Sequence, residues 1–286
     1  MLQCSGELVD MSMLILAAAA VRTAAALAPQ RLVAPQRRGL VRLLSTANVQ
    51  DAPAPKRKRV KRIRQHINPL ASKQVQPAVL ADDWFAAAFA DPGKPLIVDV
   101  GSALGGWVVE SAADDGGRNW LGLEIRPAAH DVAVGHLAKA DVGNAHFLQC
   151  NANVDLARIL ADAAAAGAPL ERVCVQFPDP HFKKKHHKRR VVTPELRATI
   201  AAALAASTFV SPSAYLVSDV LEAATAMRDE FRGDATLVEV GPWNAGGWLE
   251  ASPLAVPTER ERCVLAGKGE TSTAPGTAFR ALFTPN

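Results

Sequence analysis

The chain has 286 residues, 49% of them hydrophobic and 5% aromatic, with a formal net charge of +4. That length admits one large domain, or two small ones with tails, and it can bury a substantial core. The four cysteines, Cys4, Cys150, Cys174 and Cys263, form no C-x-x-C pair, which argues against a disulfide framework or a zinc site and for a reducing compartment.

Met13 to Ala28 is apolar but shorter than a membrane span and interrupted by Arg22, so no membrane anchoring is expected. Arg31, Arg37, Arg38 and Arg42 follow, with no acidic residue between Met11 and Gln50. An apolar stretch before an Arg-rich, acid-poor one reads as a cleavable organelle address over residues 1–50, with a disordered tail, or a start at Met11 or Met13, as the alternative. Its Ala26-Leu27-Ala28-Pro29 junction resembles the signal-to-transit boundary of plastid precursors. Plastid is therefore favoured over mitochondrion, with nucleus or cytoplasm as the alternative. Residues 51–72 read as a linker, Asp51 to Pro55, then a basic run, Lys56 to Arg64, then Gln65 to Leu70.

From residue 73 to 286 short apolar runs alternate with longer amphipathic ones. A helix is expected over Ala78 to Ala90, with Trp84, Phe85 and Phe89 on one face, then a buried strand, Pro95 to Val100, ending at Gly101. A helix from Gly106 to Ala113 leads to a strand, Asn119 to Ile125, and Pro127 stands at the first turn of a helix reaching about Ala140. A third strand, Ala145 to Cys150, precedes a helix from Val154 to Ala166, and a fourth covers Arg172 to Phe177. After the basic run Lys183 to Arg190, Thr193 caps a helix with Pro194 at its first position, carrying on through Leu204. Strands at Ala214 to Ser218, Ala235 to Val240 and Ala278 to Phe283, with a helix over Leu221 to Phe231, complete the series. Strand and helix in alternation predict one α/β domain, a doubly wound, mostly parallel sheet with helices on both faces.

In such sheets ligands bind beyond the carboxyl ends of the strands. Those ends carry Asp99 and Gly101, Glu124, Asn151, Asp179 and Asp219. Gly101-Ser102-Ala103-Leu104-Gly105-Gly106 allows backbone to approach a ligand closely. It is not the G-x-G-x-x-G of dinucleotide binders, since Ala103 stands at the second glycine. Glu124, about 20 residues on, is placed to accept from ribose hydroxyls. A glycine turn and a ribose acid without a pyrophosphate cradle point to an adenosine ligand lacking phosphates, with S-adenosylmethionine the candidate. A Rossmann-like dehydrogenase or a plain structural turn fits the same spacing. The segment Gln176 to Pro194, QFPDPHFKKKHHKRRVVTP, sets one carboxylate beside dense positive charge, as a site for a polyanion requires. His186 and His187 have no partner cluster, so no metal is expected. Trp107, Trp120, Trp243 and Trp248 are candidates for stacking a flipped base; Trp120 reads as core, and Trp243 and Trp248, in GPWNAGGW, stay open.

FPDPHFKKKHHKRRVVTPEL strongly resembles the signature of the tRNA (guanine-N7-)-methyltransferase family, class I methyltransferases with a Rossmann-like fold, and its DPHFKKKHHKRR is similar to the plant and algal branch. The likeness extends from about residue 63. His66-Ile67-Asn68-Pro69-Leu70 is similar to the family's leading motif. Asp99-Val100-Gly101-Ser102 resembles its first cofactor motif, Leu121 to Arg126 its ribose-binding strand, Asn151-Ala152 and Ser218-Asp219 its third and fifth strand ends. Pro257 to Arg262 is similar to its T-x-x-E motif. The resemblance implies that Asp99, Gly101, Glu124, Asn151 and Asp179 bind S-adenosylmethionine, with Glu124 on the ribose and Asn151 near the adenine. It implies that Asp179 is also the catalytic residue beside the target base, and that Lys183, Asp219, Thr258 and Glu261 contact tRNA. Two positions depart from the family pattern: Ala103 replaces a glycine and Asp99 a more usual glutamate, though a turn and a carboxylate are kept. The expected activity is methyl transfer to N7 of a guanine in tRNA, in the variable loop. The same fold acting on another RNA or a small molecule, or a non-catalytic tRNA-binding protein, are the alternatives. The resemblance leaves open a β-propeller partner subunit, with which nuclear relatives work.

Overall fold

A computed structural model describes residues 67–268 and 276–286. The address over residues 1–50, the linker Asp51 to Pro55, the basic run Lys56 to Arg64, and His66 lie outside the described residues.

Seven strands form one sheet: β1 (Leu96–Val100), β2 (Asn119–Glu124), β3 (Ala145–Gln149), β4 (Leu170–Gln176), β5 (Ser213–Ser218), β6 (Leu237–Glu239) and β7 (Phe279–Pro285), in the order β3-β2-β1-β4-β5-β7-β6. The first five are parallel, and β7 runs antiparallel to both β5 and β6. All residues of β1, β2 and β5 are buried, as near-continuous apolar runs covered on both faces should be. The helices are α1 (Trp84–Ala88), α2 (Gly106–Asp114), α3 (Pro127–Ala140), α4 (Ala152–Ala165), α5 (Pro194–Ala206), α6 (Leu221–Arg232) and α7 (Glu259–Leu265).

Alternation along the strands divides the core in two. Leu96, Val98 and Val100 of β1 join Val173 and Val175 of β4 and Leu216 of β5 in a layer packed with α1, α4, α5 and α6. Ile97, Cys174, Tyr215 and Val217 point the other way, toward Trp107 and Val108 of α2 and Ala133 of α3. Chain reversal across the sheet therefore falls between β1 and β4, the place where this topology opens a crevice.

The expected doubly wound sheet is present, with differences that have physical causes. The first helix is five residues long rather than thirteen, because Ala78 is tied to Asp155 and Arg158 of α4 instead of entering a helix. Residues Glu259–Leu265, expected only as a motif, form α7, where Thr258 Oγ1 accepts the Glu261 N–H at 3.0 Å. The basic run contains a 3-10 turn, Lys184–Arg189. Thr193 caps α5 as expected, accepting from Leu196 N–H at 3.2 Å, with Pro194 at the first helical position.

Candidate active site

The glycine turn after β1 is built around Phe147 of β3. Gly105 caps α2 at φ +76°, and a Cβ there would lie 2.5 Å from the Phe147 ring, so this position requires glycine. Gly101 stands at φ +90° with no atom within 4 Å of where its Cβ would be, so the turn faces open space. Ala103, in the expected glycine's place, adopts φ +51°, so the turn survives the replacement at the price of backbone strain. The backbone N–H groups of Gly101 and Ser102 both donate to the Leu123 carbonyl, holding the turn against β2.

Asp99, 5% exposed, is the penultimate residue of β1, and its carboxylate accepts from Gln176 Nε2 at 3.2 Å. Burial, followed by repulsion from Glu124, pushes its carboxyl up to about 7, against the lowering effect of the Gln176 hydrogen bond. Glu124 is 3% exposed, and Arg126 grips it: the Arg126 backbone N–H and Nε donate to Oε1 at 2.8 and 2.9 Å, and Nη2 donates to Oε2 at 3.0 Å. A carboxylate has about four acceptor sites, so a ribose must share this group with Arg126. The Glu124 hydrogen bonds raise the Arg126 pKa, and the charge of Asp179 adds to that, which couples the ends of β2 and β4 through one guanidinium.

Asn151 follows β3, and its side chain is engaged by the chain itself. Oδ1 accepts from Asn153 N–H, and Nδ2 donates to the carbonyls of Pro69 and Gln74 at 3.2 and 3.0 Å. The described part of the leading motif is thereby docked onto the N-terminal end of α4.

Asp179 is exposed, between prolines, in a turn flanked by Phe177 at φ +48° and His181 at φ +47°. Left-handed backbone at two residues that disfavour it marks this turn as one held in place by its surroundings. Arg190 supplies part of that hold, donating to the Pro180 carbonyl at 3.0 Å and to Glu222 at 2.7 Å. Arg190 is thus a brace, while Lys183, Lys184, Lys185 and Lys188 are exposed. His186 is held below its usual range by desolvation and by the charges of Arg189, Lys185 and Lys183.

A second cluster lies beyond β5. Asp219, 4% exposed, accepts from Arg260 at 2.5 Å, and Glu261, 2% exposed, accepts from Arg280 of β7 at 2.6 Å. Trp107 Nε1 donates to the Val256 carbonyl, fixing the segment before Thr258 to α2. The structure therefore joins Asp219, Thr258 and Glu261, expected together as substrate contacts, through two arginines that the sequence reading missed. Arg260 lies inside the T-x-x-E motif and was open to notice; Arg280 needed the β5–β7 pairing. Trp107 and Trp120 pack edge to face in the core, Trp248 is buried under Arg228, and Trp243 is half-exposed.

Among the described residues no group of three or more His, Cys, Asp or Glu side chains is placed to hold a metal, and no helix is long and apolar enough to cross a membrane. The crevice suits a cationic adenosine ligand. Asp99 is buried, and Ser102 Oγ and Gln176 Oε1 are buried with no hydrogen-bond partner among the described residues. Such oxygens can accept hydrogen bonds from a ligand's donors.

Residues 93–274 match the family described as "Putative methyltransferase". The tRNA (guanine-N(7)-)-methyltransferase of Thermosynechococcus vestitus is 43% identical over 206 residues, covering 72% of this chain and 90% of that protein. That of Nostoc sp. is 40% identical over 222 residues, 78% of this chain and 93% of that protein. That of Synechocystis sp. is 39% identical over 200 residues, 70% and 89% respectively.

Proposed function

The chain belongs to the tRNA (guanine-N7-)-methyltransferase family and transfers a methyl group from S-adenosylmethionine to N7 of a guanine in tRNA, and we propose that it does so where the ends of β1, β2 and β4 meet, with Asp179 beside the reacting base. The observation that carries this placement is the coupling of Asp99, Glu124, Arg126 and Asp179 at the reversal point of the sheet.

The bound cofactor supplies a methyl group on a positively charged sulfur, and that sulfur keeps the S–CH3 electron pair when the bond breaks. Guanine N7 brings an in-plane lone pair and no proton, so the new N–C bond forms without a general base. The chain then works by alignment, an effect that supplies about 7–11 kcal/mol in well-oriented reactions. Asp99 and Glu124, with the Gly101 turn, hold the donor. Asp179 accepts guanine N–H groups and offsets the positive charge that arrives on the ring. Lys183, Lys184, Lys185 and Lys188 take tRNA phosphates, while Asp219 and Glu261, buried in ion pairs with Arg260 and Arg280, position the segment that carries Thr258. By family resemblance the base lies in the variable loop.

Methyl transfer to undermodified tRNA, mapped by strand cleavage at N7-methylguanosine, tests the reading. Wild-type protein should give one cleavage site. Asp179→Ala should lower the rate by about a hundredfold or more with little change in Tm, because the residue is exposed. Unchanged activity in that variant would remove Asp179 from the reaction.

The Arg-rich, acid-poor segment over residues 1–50 supports a plastid tRNA as substrate. Fused to a fluorescent protein, that segment should direct it to plastids; retention in nucleus or cytosol would contradict this.

A further inference from the structure

Gln176 is the last residue of β4, three before Asp179. Strand periodicity puts it on the same sheet face as Cys174, and Cys174 is paired across β1 with Asp99. Gln176 and Asp99 therefore meet because of register, and the 3.2 Å bond from Gln176 Nε2 to Asp99 Oδ1 is the result. Against the ionised Asp99 carboxylate, which can only accept, the amide must present its N–H. Its carbonyl oxygen, Oε1, is then left buried with no partner among the described residues, in a side chain 91% buried. Ser102 Oγ, on the turn after β1, is likewise buried and unpartnered. Other buried atoms among the described residues, Ser111 Oγ and Asn119 Oδ1 for example, also lack a partner; Gln176 Oε1 differs in belonging to an amide bonded to a buried carboxylate at the carboxyl end of the strands, where ligands of such sheets bind.

We propose that Gln176 is a cofactor-selecting residue, whose Oε1, together with the Asp99 carboxylate, receives the α-ammonium group at the amino-acid end of the methyl donor. This rests on the methyltransferase reading above. The ammonium is the group whose chemistry matches. It brings three N–H donors and a positive charge to a place holding a carboxylate and an orphaned carbonyl. Adenine mixes donors with acceptors, ribose hydroxyls are neutral, and the donor's own carboxylate would be repelled by Asp99 and Glu124. The high pKa of Asp99, near 7 in the absence of a cation, agrees with a group waiting for one. Gln176 has two tasks in this arrangement: its N–H orients Asp99, and its C=O adds a second acceptor.

The test compares two ligands that share adenine, ribose and sulfur. S-adenosylhomocysteine keeps the amino-acid end, and 5′-methylthioadenosine lacks it. Calorimetric titrations of wild-type protein, Gln176→Met and Gln176→Asn at pH 7.5 should show a selective loss. Both variants should bind S-adenosylhomocysteine roughly ten- to a hundredfold more weakly, the scale of one hydrogen bond to a charged group. Binding of 5′-methylthioadenosine should change by no more than about twofold. Without the Nε2 donor, the pH below which S-adenosylhomocysteine binding weakens should also move upward. Equal loss with both ligands, or loss of all binding in both variants, would show that Gln176 acts through the fold or the adenosine half, and would overturn the proposal. No loss with either ligand would overturn it too. Failure of the wild-type protein to bind S-adenosylhomocysteine would sink the methyltransferase reading instead, so the two failures are distinguishable.

Discussion

Asp99 lies buried between Gln176 and Glu124, and its carboxyl, raised mainly by burial to about 7, links pH to both stability and cofactor binding. Its folded pKa exceeds its unfolded value of 3.8, so the ligand-free protein holds this proton more tightly than the unfolded chain does. The stability Asp99 contributes is thus full below about pH 4 and lost as pH rises through 7. A cationic ligand reverses the preference, because it binds the ionised carboxylate and must displace a proton at pH 6. The rise in Tm produced by S-adenosylhomocysteine should therefore be larger at pH 8 than at pH 6, with affinity falling toward tenfold per pH unit below 7. Asp99→Asn should flatten this dependence while lowering affinity throughout. A shift independent of pH in the wild-type protein would mean that Asp99 does not meet the cation. Glu124 needs a different account. Arg126 occupies both its oxygens, so the group is oriented before a ribose arrives and must share its acceptors when one does.

The 3-10 turn at Lys184–Arg189 and helix α7 are the two elements that a reading of motifs described least well. The turn presents Lys184, Lys185 and Lys188 outward while Arg190 ties its end to Pro180 and Glu222. Replacing the three lysines by alanine should weaken tRNA binding and reduce the slope of log K against log salt by about 2–3, at 0.7–0.9 per phosphate contact. Cofactor binding should be untouched; an unchanged salt slope would show that these lysines do not reach the phosphates. Helix α7 depends on a buried pair. Arg280→Met would leave Glu261, 2% exposed, without its partner. Denaturant titration should record a loss of about 3–5 kcal/mol, the usual penalty for stranding a buried charge. A loss below 1 kcal/mol would show that Glu261 finds relief elsewhere. The pattern TERERCVL hid this helix because it is short and mostly charged, with Val264 and Glu261 its only buried residues.

Across the whole molecule, the parallel half of the sheet was legible because its strands are buried on both faces and read as apolar runs broken at Gly101, Asn151 and Pro178. The last strand was also expected, over Ala278 to Phe283, but its antiparallel direction was not legible, since direction depends on pairing far along the chain, Tyr215 with Leu282 for example. The same limit separates the site residues. Asp99, Glu124 and Asp219 stand where strands end and could be found by position. The Gln176–Asp99 bond and the Glu261–Arg280 pair depend on register between elements, which no local pattern encodes. Glu124 and Arg126 are near neighbours, yet nothing in their spacing announces a guanidinium that also feels Asp179. If the reacting atom is guanine N7 and alignment rather than proton removal drives the step, removing the N7 lone pair must abolish the reaction. tRNA transcripts in which the target guanosine is replaced by 7-deazaguanosine carry C–H in place of the N7 lone pair. Such transcripts should bind within about twofold of the unmodified transcript and accept no methyl group at all. Methyl transfer to the deaza transcript would place the reaction at another atom and contradict the assignment to N7.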